Sequence, residues 1–140
     1  MLPTVPVTAV LQPKGDGRVK IMPLGDSITH GDMVPGGYRT HLWNMLRADG
    51  DNVDFVGLLS SGPLADGDHE GHVGWTIAQL NGSVGSWIRV NPPDIILLHI
   101  GTNDLLAHTS ASTMTQQLSQ LIGTIYAAKP DVYIVVAGII

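Results

Sequence analysis

The sequence predicts an α/β protein built on a parallel sheet, and three observations point there. Four short apolar runs, at residues 19–24, 53–59, 95–100 and 132–137, alternate with stretches of helical periodicity. Strands alternating with helices imply right-handed crossovers and parallel pairing. The third and fourth runs are almost continuously apolar, as strands covered on both faces must be. Composition agrees: 44% hydrophobic residues, 14% charged residues and 17 glycines describe a buried sheet with glycine-rich connections, and exclude a disordered or fibrous chain.

Each element has its own warrant. Residues 1–18 hold three prolines and the turn signal Gly15-Asp16-Gly17, so their valine alternation is too broken for a strand and reads as a tail or linker before a domain at 19–140. Tyr38, Leu42, Met45 and Leu46 share one helical face, and Gly50 ends that run where a C-terminal glycine is favoured. Ile77, Leu80, Val84, Trp87 and Ile88 repeat the spacing behind Thr76-Ile77-Ala78-Gln79, which has the form of a capping box, although Gly82 and Gly85 weaken the helix. Met114, Leu118, Leu121, Ile122 and Ile125 mark a third helix that Pro130 stops. The expected architecture is a three-layer α/β/α, flavodoxin-like sheet with strand order 2-1-3-4. Its fifth strand is missing from the chain, leaving the fourth as an open edge available for self-association or a partner chain. Because a βαβ unit takes ~30 residues or more, about one further unit and a terminal helix are expected to be removed, to lie on another chain, or to be replaced by association.

A formal charge of −5 with no basic cluster leaves no footprint for phosphate backbones or anionic membranes, so neither nucleic acid nor membrane is an expected partner. No apolar stretch approaches the ~20 residues that span a bilayer, and Met1-Leu2-Pro3-Thr4 lacks the basic start and apolar core of a secretory signal. The absence of cysteine removes disulfides, thiolate chemistry and sulfur ligands to metals, and leaves the redox compartment undecided.

Chemistry concentrates at two strand ends. Gly25-Asp26-Ser27-Ile28-Thr29 closes the first apolar run and Gly101-Thr102-Asn103-Asp104 follows the third. In the expected strand order these two ends flank the point of reversal, where doubly wound sheets bind ligands. Ser27 would open a helical turn whose N–H groups face a bound anion, and its hydroxyl is a candidate nucleophile. Attack on an ester carbonyl builds charge on oxygen, which needs preorganised donors about 3 Å away. Asn103 offers a side-chain amide that would reach across to the end of strand one. The loop Asp68-His69-Glu70-Gly71-His72-Val73-Gly74-Trp75 offers the bare backbone N–H of Gly74.

These blocks resemble the GDSL, or SGNH, hydrolase superfamily, with Gly-Asp-Ser-Ile-Thr, the Gly74 block and Gly-Thr-Asn-Asp in family order over about residues 19–140. Gly37-Tyr38-Arg39-Thr40 together with the run from Asp68 to Ile77 looks most like the acetyl xylan esterases of carbohydrate esterase family three. The resemblance implies a serine esterase working through an acyl-enzyme, with Ser27 attacking and Ser27 N–H, Gly74 N–H and Asn103 holding the oxyanion. It implies no metal or organic cofactor, an acetylated polysaccharide or other small ester as substrate, and an extracellular location. It also implies a histidine base three residues after an aspartate. No such Asp-x-x-His block follows Asn103 in this chain, so the base is expected from outside it.

Blander readings stand beside these. Ser27 fits a helix N-cap, Asn103 a turn, and Asp26 a carboxylate bonding nearby backbone. His30 is one turn from Ser27 but points alongside it. His99 reads as a satisfied core histidine, and His69 and His72 with Asp66 and Asp68 as a solvated rim in preference to a metal cluster. Trp43 and Trp87 read as core, and Trp75 as the aromatic nearest a cleft. Gly-x-Ser-x-Gly would need glycine where Thr29 stands, which excludes the α/β-hydrolase elbow. Two rival functions remain: a lipase, thioesterase or aryl esterase of the same superfamily, and a catalytically incomplete domain that binds carbohydrate or mediates association.

Overall fold

The computed structural model describes residues 15–139. Residues 1–14 of the stretch read as a tail lie outside them; 15–17 form a turn. The strands are β1 (Val19–Gly25), β2 (Val53–Phe55), β3 (Leu59–Ser60), β4 (Asp68–Gly71), β5 (Ile95–His99) and β6 (Tyr133–Val136). The helices are α1 (Ser27–His30), α2 (Gly37–Ala48), α3 (Ile77–Val90), α4 (Thr102–Leu106) and α5 (Ala111–Ala128).

β1 is the spine. Its other edge pairs in parallel with β5, Ile21 opposite Ile95 through Gly25 opposite His99, and β6 continues the sheet beyond β5. Two strands divide the remaining edge: β2 takes the N-terminal half at Val19–Ile21, and β4 takes the C-terminal end at Leu24 and Gly25. The expected 2-1-3-4 order of the long strands therefore holds, with β4 as an addition the sequence reading places in a loop.

The second apolar run does not form one strand over 53–59. It pairs with β1 only as far as Phe55, and Val56 N–H still donates to the Ile21 carbonyl at 2.9 Å. The chain then crosses β4, where a side chain at Gly57 would strike the His69 backbone, and Leu58 N–H donates to the Glu70 carboxylate at 2.6 Å. Leu59 and Ser60 pair antiparallel with His69 and Asp68.

Period-two alternation sends β1 and β5 side chains to two faces. Met22, Leu24, Ile96 and Leu98 meet α3 and α5, in a core that buries all five periodic positions of α3 and Met114, Leu121 and Ile125 of α5. The Thr76 capping box is present, and α5 ends at Ala128, where Lys129 turns extended before Pro130. Val19, Ile21, Phe55 and Ile95 meet Leu42, Trp43 and Leu46 of α2 on the other face. Here the expected apolar stripe needs correction: Met45 is 52% exposed, and the one buried residue of α2 is Arg39. A further correction concerns β6, expected to be covered on both faces. Tyr133 and Val135 on its α2-side face are about half exposed, at 45% and 49%, and Val136 on the other face is 50% exposed.

Candidate active site

The site is built from one rung of the sheet. Gly25 lies opposite Gly71 on β4 and opposite His99 on β5, so three connections leave the sheet side by side. The first carries Ser27, the second Gly74 and the third Asn103. Gly25 serves close approach, since a side chain there would strike the His99 carbonyl and the Thr29 side chain.

Asp26 is fully buried and caps α1, its Oδ1 accepting from Ile28 N–H at 2.9 Å. Ser27 is therefore not the cap. It is the first helical residue, with an N–H that has no intrahelical acceptor. The side chain is partly exposed and lines a cavity of about 400 Å³ together with Ile28, Met33, Val34 and Tyr38.

After β4, His72 N–H donates to the Gly25 carbonyl at 2.9 Å, which ties the second connection to the first. Gly74 is exposed at φ +79°, a conformation that favours glycine, and nothing lies within 4 Å of where a side chain would begin. The Asn103 amide nitrogen, on α4, donates to the Trp75 carbonyl at 2.8 Å. Where sequence reading sends this amide across to β1, its observed partner is on the loop after β4. One N–H thus holds the peptide beside Gly74, and an amide nitrogen carries a second. Asp104, 2% exposed, accepts from Ile77 N–H at 3.1 Å and so anchors the start of α3 to α4.

The histidines fall out differently from their expected places. His69 is fully buried in β4, not on a solvated rim; its Nδ1 accepts from Gly71 N–H at 2.9 Å and its Nε2 lies 2.8 Å from the Ser61 hydroxyl. Burial first, then the neighbouring Arg39, His30 and His72, holds its pKa down at about 3, so the ring is neutral. The backbone donation fixes Nδ1 as acceptor and Nε2 as donor. His72 is half-buried, paired through Nε2 with the buried Glu70 carboxylate at 2.7 Å and stacked on Trp87 at 4.4 Å between ring centres. His30 packs edge-on against His69 at 5.3 Å. His99 is buried but not satisfied: neither ring nitrogen has a partner among the described residues, and it lines an apolar crevice of about 680 Å³ with Ile28, Tyr38, Leu97 and Val135. Trp43 packs against Phe55, and Trp87 is 8% exposed in the core. Asp66 accepts from Phe55 and Asp68 backbone N–H groups, and no three His, Asp or Glu side chains among the described residues are arranged to hold a metal ion.

Arg39 and Glu70 are what sequence reasoning missed. Arg39 is fully buried, with burial lowering its pKa, and donates to carbonyls of both α1 and the β3–β4 connection. Its signal lay in a charged residue at a helical position flanked by Tyr38 and Leu42, on the side that should face the sheet.

Comparison with known proteins places this arrangement. The sequence profile of the GDSL-like lipase/acylhydrolase family matches residues 24–140. The solved Clostridium thermocellum family 3 carbohydrate esterase superposes with a TM-score of 0.81 at 44% identity, over 85% of this chain and 60% of that one. A family 3 carbohydrate esterase from Talaromyces cellulolyticus gives 0.75 at 32% identity, over 84% and 60%. A multidomain esterase of Ruminococcus flavefaciens is 42% identical over 64% of this chain, and that alignment spans 15% of the relative. The chain thus covers three fifths of the solved relatives' length and much less of the multidomain one. With the profile spanning most of the sequence and the strand-end motifs on one rung, the chain belongs to the GDSL-like lipase/acylhydrolase family.

Proposed function

We propose that this domain is a serine esterase that removes small acyl groups, acetyl above all, from a carbohydrate such as xylan. The observation that carries the reading is the shared rung Gly71, Gly25, His99, from which Ser27, Gly74 and Asn103 all depart within four residues. Similarity to family 3 carbohydrate esterases supports the substrate class.

In this reading the Ser27 Oγ forms a bond to the acyl carbon, and the carbonyl π electrons move to oxygen. Ser27 N–H, Gly74 N–H and the Asn103 amide receive that charge, each worth ~3 kcal/mol in the transition state. A histidine base takes the hydroxyl proton and returns it to the sugar oxygen as the carbon–oxygen bond breaks. Water then repeats the sequence on the acyl-serine, releasing acetate. One observation favours a second reading with longer acyl chains: Ile28 and Tyr38 line both the Ser27 cavity and the larger apolar crevice.

The test uses the full-length protein, acetylated xylan, and aryl esters of rising acyl length. Acetate release with a preference for two-carbon acyl groups, lost at least ~10³-fold in Ser27→Ala, is expected. A preference rising with chain length would favour the second reading, and unchanged turnover in Ser27→Ala would end both.

A further inference from the structure

We propose that Arg39 is a positioning residue, which holds the Ser27 turn in register with the Gly74 loop by bonding to the turn directly and to the strand before that loop through Ser61 and His69; this rests on the esterase reading above. All five guanidinium N–H bonds are used. Nε donates to the Thr29 carbonyl at 2.8 Å and Nη2 to the His30 carbonyl at 2.9 Å, the last two residues of the turn that Ser27 begins. Nη1 donates to the Gly67 carbonyl at 2.9 Å and the Ser61 carbonyl at 3.2 Å, and Nη2 also to the Ser61 hydroxyl at 3.2 Å. No carboxylate bonds to the guanidinium among the described residues, so this fully buried cation is held by four carbonyls and one hydroxyl.

The second arm leads to the strand from which the Gly74 loop departs. Ser61 Oγ is bonded to His69 Nε2 at 2.8 Å, and His69 Nδ1 receives Gly71 N–H at 2.9 Å. Gly71 is the rung partner of Gly25, three residues before Gly74. A chain of Arg39, Ser61 and His69 therefore connects the carbonyl end of α1 to the backbone from which the Gly74 loop departs. A one-turn helix has no length to define its own direction, since its hydrogen bonds number only a few. Its orientation must come from outside, and a planar fork that reaches two segments at once supplies it. A lysine ammonium, with three donors on one atom, cannot span both.

Arg39→Lys and Ser61→Ala in the full-length protein test this, read as kcat and KM for an aryl acetate and as the rate of Ser27 labelling by a fluorophosphonate. Misplacement of the reacting groups by ~1 Å predicts a kcat loss of about 10²-fold in Arg39→Lys and about tenfold in Ser61→Ala, with KM little changed and labelling slowed in parallel. Val84→Ala, buried on the opposite face, lowers Tm and leaves kcat at the wild-type level. Wild-type kcat in folded Arg39→Lys and Ser61→Ala, with Ser27→Ala inactive, overturns the positioning role and leaves the esterase reading standing. Activity retained in Ser27→Ala defeats that reading itself. If Arg39→Lys does not fold, Ser61→Ala decides alone, since its wild-type kcat breaks the proposed chain at the middle link.

Discussion

The two faces of the sheet are held by different physics. On the α3 and α5 face, Met22, Leu24, Ile96 and Leu98 pack with helix side chains in one large apolar cluster, whose stability follows from area removed from water. On the α2 face the apolar cluster stops partway along the strands, and the end nearest the candidate site is held by Arg39, Ser61 and His69. Apolar packing is non-directional and tolerates relaxation, whereas a saturated guanidinium fixes where each carbonyl lies. The apolar face thus supplies stability without fixing the geometry of the site, whereas the polar network on the α2 face does both.

Arg39→Met should break the comparison most severely. It strands four backbone carbonyls in the interior, and a loss of about 3–5 kcal/mol is expected in urea unfolding. Leu80→Ala, at a fully buried site on the apolar face, should cost about 3 kcal/mol by the same measurement but leave kcat unchanged below the transition. If Leu80→Ala also altered kcat, the separation of roles would fail.

A third prediction sharpens the contrast through pH. His69 has a folded pKa of about 3 against an ordinary 6.5. Between those values the unfolded chain binds a proton that the folded chain refuses, so stability declines as pH falls from 6.5, by at most about 1.4 kcal/mol per unit. Above 6.5 both states are neutral at this residue and it contributes no slope. His69→Gln should flatten the decline between pH 6.5 and 5, and an unaltered slope would show that other groups cause it.

What was legible in the sequence follows the same division. β1, β5, α3 and α5 could be read because burial against apolar partners leaves a period of two or 3.6 in the residues themselves. Ser27 and Asn103 were legible as candidates because a glycine precedes a polar residue at a strand end. β4 was not legible: Asp68-His69-Glu70-Gly71 contains no apolar side chain, and its buried polar groups are satisfied by each other, as Gly71 N–H is by His69, or by neighbours, as Glu70 is by Leu58 N–H and His72. Arg39 was hidden for the same reason, since its partners are carbonyls 9, 10, 22 and 28 residues away and carry no sequence signal. The break of the second run after Phe55 depends on Gly57 meeting the His69 backbone, a contact that exists only once β4 is in place.

The most direct measurement of the central claim is a crystal structure of the full-length protein after reaction with a small fluorophosphonate. A covalent bond at Ser27 Oγ is expected, with a phosphonyl oxygen about 3 Å from Ser27 N, Gly74 N and Asn103 Nδ2 together. An adduct on another residue, or a phosphonyl oxygen turned away from Gly74 and Asn103, would contradict it.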